Sequence, residues 1–153
     1  MMNLCCELLQ KLQGKTLATA ESCTGGGIGA AITAVSGSSS VYVGGIISYT
    51  NEIKEKLLCV DLVILEKFGA VSSPVAEAMA LGARKATGAD IAVSVTGLAG
   101  PGGDEFGNPV GTVFIGYSDE KDTFSVEFHF IGDRESVRNQ TVREALKLIM
   151  DRN

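Results

Sequence analysis

The fold is encoded most clearly in residues 16–29, which read TLATAESCTGGGIG. The first part, Thr16–Glu21, is short, apolar and partly β-branched, as expected for a buried strand. Three consecutive glycines then occupy positions 25–27, where the backbone must turn tightly or approach a ligand. The pattern predicts a strand that leads directly into a helix over Thr24–Val35, which is the first unit of an α/β sheet.

Strands and helices continue to alternate along the rest of the chain. Apolar runs predict strands at Val41–Tyr49 and Ala89–Thr96, and an antiparallel pair is predicted at Gly111–Ser118 and Thr123–Ile131. The remaining helical patterns cover Asn3–Gln13, Asn51–Leu58, Asp61–Phe68, Pro74–Thr87 and Asp133–Met150. We therefore predict an α/β fold, a three-layer α/β/α sandwich around a mixed, mostly parallel sheet.

Length and composition predict a single domain over residues 1–153. A chain of this size buries roughly 68–70% of its unfolded surface, so it needs no disulfide bonds. The 13 basic and 18 acidic side chains give a net charge of −5, which argues against a nucleic-acid partner. No apolar run approaches the roughly 18 residues of a membrane span, and the first helix, with Glu7 and Lys11, does not resemble a signal peptide. We expect a cytoplasmic protein without a membrane partner.

Cysteine and histidine are too sparse to predict a metal site. Cys5 and Cys6 are adjacent, no C-x-x-C pair occurs, and His129 is the single histidine. A tetrahedral zinc site is therefore not expected. We expect the cysteines to be reduced thiols. The same histidine lies within a predicted strand, far in sequence from every glycine-rich segment, so a Ser-His-Asp triad has no well-placed base.

Three polar segments begin where strands of the predicted sheet end. They are Glu21–Gly29, Tyr49–Lys54 and Gly97–Gly103. Ligands of open α/β sheets bind beyond the carboxyl ends of the strands. We therefore expect the three segments to form one binding site.

Ser22 is a candidate nucleophile, because it stands between a strand and the start of a helix. The backbone N–H groups of Cys23–Gly26 are candidate donors to an oxyanion. The alternative is that Ser22 and Thr24 only cap the helix, which is a common use of both residue types. A relaxed dinucleotide-binding fingerprint is also present at Gly25-x-Gly27-x-x-Ala30, but the acidic residue that normally follows the next strand is missing, and no P-loop motif occurs.

Lys54 is a candidate general base. We interpret Asn51 as a helix N-cap, which puts Lys54 in the first turn, where the helix dipole disfavours a cation. Partial burial would add to this effect, and a neutral lysine can accept a proton from a serine. A solvated helix lysine is the alternative, and Tyr49 could be an aromatic residue that only closes a strand.

Two further segments carry groups suited to a nucleotide. The amides of Thr96–Gly103 could hold a phosphate or a substrate amide, or the segment could be only a flexible loop. Arg134 and Arg138 are four residues apart and share one face of the last helix, and arginine suits bidentate phosphate contacts. The alternative is an exposed face that pairs with Glu135 and Glu144.

Six motifs occur in one order along the chain. They are AESCTGG at 20–26, SYTNxxK at 48–54, GAVS at 69–72, TGxAGP at 96–101, PVGTV at 109–113 and GDR at 132–134. Over nearly its whole length the sequence resembles the carboxy-terminal domain family of the competence/damage-inducible protein CinA. The stand-alone members of that family are nicotinamide-nucleotide amidases, also called nicotinamide mononucleotide deamidases.

The resemblance implies the hydrolysis of nicotinamide mononucleotide to nicotinate mononucleotide and ammonia in pyridine-nucleotide recycling, with no metal or organic cofactor. It implies that Ser22 is the nucleophile, that Lys54 is the general base and that Tyr49 belongs to the same catalytic site. The patterns and the resemblance together assign the substrate contacts to Thr24, Gly25, Gly26, Thr96, Gly97, Gly100 and Arg138.

The sequence leaves two alternative functions open. A non-catalytic module that binds pyridine nucleotides is an alternative function, because it would use the same glycine loops and would need no proton acceptor. A dehydrogenase is a more distant alternative, since the ribose-binding acid is missing.

A homodimer is expected from the family and from the apolar first helix.

Overall fold

Five strands form one sheet in the computed structural model, which describes residues 1–153. The strands are β1 (Leu17–Glu21), β2 (Tyr42–Ile47), β3 (Ile91–Gly97), β4 (Thr112–Ser118) and β5 (Thr123–His129), in the order β2-β1-β3-β4-β5. β1 pairs in parallel with β2 and β3, whereas β4 pairs antiparallel with β3 and β5. Only β4 therefore runs against the others, which confirms the predicted mixed, mostly parallel sheet.

Helices cover both faces of the sheet and confirm the three-layer prediction. They are α1 (Met2–Lys11), α2 (Gly27–Thr33), α3 (Asn51–Leu58), α4 (Leu62–Phe68), α5 (Ser73–Thr87) and α6 (Arg134–Arg152), with a short 3₁₀ helix at Ser38–Ser40. One core lies between the sheet and α1, α2 and α6, and a second lies between the sheet and α3, α4 and α5. None of these helices combines the length and the apolar character that crossing a bilayer requires.

Small residues bring α5 close to the sheet and α3 close to α5. The sheet presents Ala18, Ala20 and Ala92 to this layer, and all three are buried. A Cβ atom at Gly82 of α5 would collide with the backbone carbonyl of Leu58 at the end of α3. This tight packing fixes α3 over the edge of the sheet where the polar segments begin.

The structure differs from the sequence predictions mainly at the ends of elements. α2 begins at Gly27 and not at Thr24, because Gly25 and Gly26 take left-handed conformations, with φ of 59° and 101°. β2 ends at Ile47, so Tyr49 lies in the loop before α3 and not in the strand.

The N-cap of α3 is also one residue earlier than predicted. Thr50 and not Asn51 is the N-cap, and the Thr50 hydroxyl accepts a hydrogen bond from the Ile53 N–H at 3.3 Å. A threonine supplies this acceptor as readily as an asparagine does. Lys54 is therefore the fourth residue of the helix, whereas an N-cap at Asn51 would have made it the third.

α1 uses its apolar face inside the protomer. Cys5, Leu8 and Leu12 are fully buried and share a core with α2 and α6. The helix therefore does not leave free the apolar face from which a homodimer was expected. The homodimer stays a prediction that rests on the family resemblance alone.

The parallel register brings the ends of three strands together. Glu21, the last residue of β1, pairs with Ile47 of β2 and with Val95 of β3. The pairing continues past the strands, since the Ser48 N–H donates to the Glu21 carbonyl at 2.8 Å. The residues that follow β1, β2 and β3 are thus neighbours at one edge of the sheet.

Candidate active site

A cavity of about 460 Å³ lies at the carboxyl ends of β1, β2 and β3. All three polar segments line it, through the predicted site residues Ser22, Tyr49, Lys54, Thr96, Gly97 and Gly100. Cys23, Asn51, Phe106 and Arg134 are among the other residues of its wall. Nowhere does the structure group three or more His, Cys, Asp or Glu side chains that could hold a metal ion.

Ser22 and Lys54 form a buried pair in this cavity. Lys54 Nζ lies 3.0 Å from Ser22 Oγ and donates a second hydrogen bond, at 2.7 Å, to the carbonyl oxygen of Ser48. The lysine is 1% exposed and the serine 8% exposed. When the lysine is neutral, the hydroxyl donates to Nζ, and this is the geometry that a serine nucleophile and its base require.

Burial makes Lys54 a weaker base than an ordinary lysine. It lowers the pKa of Lys54 from its usual value of 10.5 to about 8, because an ammonium group is poorly solvated inside the protein. The nearby Cys23 thiol acts in the opposite direction, and its influence is the smaller of the two. A pKa near 8 leaves about one-tenth of the lysine neutral at pH 7.

Cys23 lies next to Ser22 but is a poor competing nucleophile. Burial raises the pKa of its thiol to about 11, and this outweighs the lowering by its own backbone N–H and by the charges of Lys54 and Arg138. The thiolate is the reactive form of cysteine, so this side chain is inert at neutral pH. Of these two neighbouring residues, only Ser22 has a base within hydrogen-bond distance.

Glu21 holds the turn that follows β1. Its carboxylate is 2% exposed and accepts hydrogen bonds from the Thr24 hydroxyl at 2.6 Å and from the N–H groups of Ile28 and Gly29 at 2.8 and 3.0 Å. A side chain from the strand therefore occupies the N-terminus of α2. Ser22 lies in the turn between β1 and α2, between the strand and the helix as predicted.

The glycine turn offers fewer free amides than the sequence suggested. The Gly25 N–H donates to the Ser22 carbonyl at 3.1 Å and so closes a turn. The N–H groups of Cys23 and Thr24 donate to no other residue. Cys23 also lines the cavity, so its amide, which contacts its own thiol, is a candidate donor beside Ser22.

Arg134 connects Tyr49 to the glycine loop across the mouth of the cavity. Its Nη1 donates to the Gly100 carbonyl at 2.7 Å, and its Nη2 donates to the Tyr49 hydroxyl at 3.2 Å. Tyr49 is 59% exposed, and its hydroxyl contacts neither Ser22 nor Lys54. The tyrosine thus lies at the entrance and not beside Ser22 and Lys54.

Thr96 and Gly97 shape the floor of the cavity through packing. The Thr96 hydroxyl donates to the Ala70 carbonyl at 2.8 Å, which fastens the segment before α5 to the end of β3. A Cβ atom at Gly97 would stand 2.5 Å from Val113 Cγ2 and 2.9 Å from the Thr112 carbonyl oxygen. Only glycine allows β4 to approach this closely.

The remaining predicted contacts lie behind the turn. Arg138 donates to the carbonyls of Cys23 and Thr24, both at 3.1 Å, and a Cβ atom at Gly25 would stand 3.6 Å from its Nη2. Thr24 and Arg138 line a second cavity of about 440 Å³, next to the first. Gly26 lines neither cavity, and Arg134 lines both.

Sequence reasoning missed two residues that organise the site. Arg134 and Arg138 share a helix face in the sequence, and nothing in their spacing reveals that Arg134 is the one that reaches the main cavity. Glu21 belongs to a recognised motif but received no role. A buried carboxylate directly before a helix start was an available signal, because such a group needs several donors.

The fold and the buried serine–lysine pair define a three-layer α/β protein with its site at the carboxyl edge of the sheet. The family model of the CinA C-terminal domain matches residues 1–152. The chain belongs to this family, and the resemblance seen in its six motifs is confirmed.

Curated relatives are longer than this chain. CinA-like proteins of Geobacter sp. (strain M21) and Synechococcus sp. (strain RCC307) are 50% and 48% identical to it, over 139 and 147 residues. The matches cover 91% and 93% of this chain but 34% and 35% of those proteins. The chain therefore spans about a third of the length of these relatives.

Solved structures of similar length share the fold. A competence-damaged protein (CinA) superfamily protein from Escherichia coli superposes with a TM-score of 0.95 at 38% identity, covering 97% of this chain and 88% of that one. The competence damage-inducible protein A from Klebsiella pneumoniae gives a TM-score of 0.96 at 36% identity, with coverages of 98% and 94%.

Proposed function

We propose that the protein is an amidohydrolase that converts nicotinamide mononucleotide to nicotinate mononucleotide and ammonia. The observation that carries this proposal is the 3.0 Å contact between Lys54 Nζ and Ser22 Oγ in the wall of the cavity. The lowered pKa of Lys54, about 8, supports it, because a base works best when its pKa is close to the working pH. The choice of substrate rests on membership of the family.

Acylation begins when neutral Lys54 accepts the proton of the Ser22 hydroxyl. Ser22 Oγ then forms a bond to the carboxamide carbon, and the carbonyl electrons move onto the oxygen. When the tetrahedral intermediate collapses, the bond from carbon to nitrogen breaks, and Lys54 returns its proton to the departing nitrogen. Ammonia leaves, and nicotinate remains bound to Ser22 as an ester.

Deacylation repeats the same steps with water as the nucleophile. Lys54 accepts a proton from water, the hydroxide attacks the ester carbon, and the proton returns to Ser22 Oγ as the ester bond breaks. The carboxylic acid that forms releases its proton to solvent and leaves as a carboxylate, and both side chains are restored. One base thus serves both halves of the reaction.

The oxyanion of both intermediates needs donors close to Ser22. We assign this part to the N–H of Cys23, with the N–H of Thr24 as the second donor, because neither donates to another residue. Loss of one such donor typically lowers the rate by about 10²–10³. A helix terminus is not available for this purpose, since the Glu21 carboxylate occupies it.

The rest of the cavity suits a nucleotide that carries an aromatic amide. Arg134 and the exposed Tyr49 ring lie at the entrance, where they can hold the ribose phosphate, and the glycine loop up to Gly100 forms the opposite wall. Cavities of several hundred Å³ are typical for ligands of this size. We expect the pyridine ring to lie deeper, next to Ser22.

The test is the release of ammonia from nicotinamide mononucleotide by purified protein. Ser22→Ala and Lys54→Ala should each lower kcat/KM by at least a thousandfold, and Lys54→Arg should fail as well, because arginine does not lose its proton in proteins. Lys56→Ala is a matched control, since Lys56 lies two positions further along the same helix, where its ammonium forms an exposed pair with Glu52.

Two results would contradict parts of this proposal. If both Ser22→Ala and Lys54→Ala keep the wild-type kcat/KM, the assignment of nucleophile and base is wrong. If calorimetry shows binding of the mononucleotide but no product forms over many hours, the protein is a non-catalytic binding module.

A further inference from the structure

Ser48 carries the one buried side-chain polar atom in the structure that has no hydrogen-bond partner. The residue is 0% exposed and lies in the loop between β2 and α3. Its backbone is fully used, since its N–H donates to the Glu21 carbonyl and its carbonyl accepts from Lys54 Nζ at 2.7 Å. The unpartnered hydroxyl therefore belongs to a residue that already contacts the lysine.

Neither backbone contact explains why this residue is a serine. An alanine would form the same two main-chain hydrogen bonds. A buried hydroxyl without a partner lowers the stability of the fold, so its presence calls for an explanation in the function of the site.

The donors of Lys54 suggest that explanation. A lysine ammonium has three N–H donors, and in this structure two of them have acceptors, Ser22 Oγ and the Ser48 carbonyl. In the proposed reaction, Ser22 Oγ becomes an ester oxygen, which is a weaker acceptor. The ammonium then needs another partner at the moment when it holds the proton.

We propose that Ser48 is a positioning residue whose hydroxyl accepts a hydrogen bond from Lys54 whenever the lysine holds its proton, in the free protein as well as during turnover. The inference rests on the proposed function, because it assigns a partner to the base of that reaction. The proton moves from Ser22 Oγ to Lys54 Nζ as the Oγ–C bond forms, and it leaves with ammonia as the C–N bond breaks. Ser48 neither gains nor loses an atom, and rotation of its side chain is the only movement that brings its hydroxyl to the ammonium.

Other titratable groups near Lys54 do not replace this contact. Five other titratable residues line the same cavity. They are Cys23 of the turn after β1, Tyr49, Arg134 at the start of α6, and Asp104 and Glu105 of the loop after β3. None of them forms a hydrogen bond or an ion pair with Lys54 Nζ, whose partners are Ser22 Oγ and the Ser48 carbonyl. The Ser48 hydroxyl thus has no charged competitor for the ammonium.

The first test compares the pH profiles of wild type, Ser48→Ala and Ser48→Thr. Without the hydroxyl the ammonium loses a partner, so in Ser48→Ala the limb of kcat/KM at low pH should move to lower pH. The plateau at high pH should fall about tenfold, which is the loss expected for one hydrogen bond to a charged group. Ser48→Thr keeps a hydroxyl and should restore both features.

A stability measurement separates this role from a structural one. At pH 10, where Lys54 is neutral and the Ser48 hydroxyl has no ammonium to bind, its removal should leave the melting temperature of Ser48→Ala unchanged or higher than that of wild type. A loss of activity without a loss of stability therefore supports the inference. A Ser48→Ala protein whose plateau and limb both match those of wild type would overturn it.

The second test does not depend on activity. The ¹³Cε resonance of Lys54, assigned with Lys54→Arg, reports its pKa in the free protein by NMR titration. Ser48→Ala should lower that pKa below the wild-type value, and an unchanged value would also overturn the inference. If wild type releases no ammonia, the proposed function fails, and this titration still decides whether Ser48 acts on Lys54.

Discussion

Lys54 Nζ lies 3.0 Å from Ser22 Oγ, although the two residues are 32 positions apart in the chain. The parallel pairing of β1 with β2 produces this contact, because it places the residue after Glu21 beside the loop after Ile47. Lys54 then reaches back from α3 into the same cavity. The position of Lys54 beside Ser22 thus depends on the register of two strands and on one short loop.

The pH dependence of the reaction should report the pKa of Lys54. We expect kcat/KM to rise with pH along a limb centred near pH 8, because burial lowers the pKa of Lys54 to about 8 and only the neutral amine accepts a proton. The measurement is ammonia release between pH 6 and pH 10. Lys56→Arg should keep this profile, and a limb close to 10.5 would show that the base is not desolvated.

Lys54 should also lower the stability of the fold in a pH-dependent way. Its pKa is about 8 in the folded state and near 10.5 when exposed, so below pH 8 both states hold the proton and the penalty is complete. Between about 8 and 10.5 the unfolded state binds more protons, and the stability contributed by this group rises with pH. The charged lysine lowers the free energy of unfolding by about 3 kcal/mol in total. A variant without the lysine regains this amount but loses its hydrogen bonds, which contribute about 1–2 kcal/mol.

Lys54→Met tests this penalty by urea unfolding. At pH 7 the variant should be more stable than wild type by about 1–2 kcal/mol, and the advantage should disappear toward pH 10. The difference between the two proteins is the relevant quantity, because the raised pKa of Cys23 affects both curves above pH 9. An advantage that does not change with pH would contradict the lowered pKa.

Tyr49→Phe should affect the binding of substrate more than the chemical step. The Tyr49 hydroxyl accepts from Arg134 Nη2 and touches neither member of the reacting pair. We expect KM to rise about three- to tenfold, with kcat within about threefold of wild type, since one solvent-exposed hydrogen bond at the entrance is lost. Arg134→Lys should act similarly, because lysine cannot bridge Tyr49 and Gly100 as a fork.

Steady-state kinetics with both variants would decide the role of the tyrosine. A fall of kcat by a hundredfold or more in Tyr49→Phe would mean that its hydroxyl reaches the reacting atoms. The catalytic role that the family resemblance implies for Tyr49 stays a prediction until then.

Gly97→Ala should destabilise the fold, whereas Gly102→Ala should not. A Cβ atom at Gly97 would stand 2.5 Å from Val113 Cγ2, and it meets the backbone of β4 as well, so the strands must separate. We expect a loss of roughly 1–3 kcal/mol in the free energy of unfolding. Gly102 lies in the loop after β3 and has no atom within 4 Å of its added Cβ, so it is a matched control. Equal stabilities of the two variants would contradict the packing described for β3 and β4.

The sequence predicted the layers of the fold because they follow from local patterns. The apolar strand Ile91–Gly97 and the helix at Ser73–Thr87 lie within a residue or two of their predicted limits. The start of α2 was misplaced by three residues, because helical periodicity does not reveal that Gly25 and Gly26 are left-handed. Element ends depend on single backbone angles, and patterns average over several residues.

The site was less accessible to sequence reasoning than the fold. The family resemblance named Ser22 and Lys54, but spacing alone could not join residues whose contact depends on strand register. Arg138 was assigned to the substrate, and in the structure its donors hold the carbonyls of Cys23 and Thr24. Arg134, one turn earlier, reaches the cavity, and only the position of the turn after β1 distinguishes the two arginines.

The carboxylate of Glu21 has a consequence for the last step of the proposed reaction. It already occupies the positive end of α2, and its charge is felt at Cys23 in the cavity wall. The proposed reaction turns an uncharged amide into an anion beside this residue. Repulsion between the two acids should favour departure of nicotinate mononucleotide, so the enzyme is expected to tolerate a high concentration of its own product.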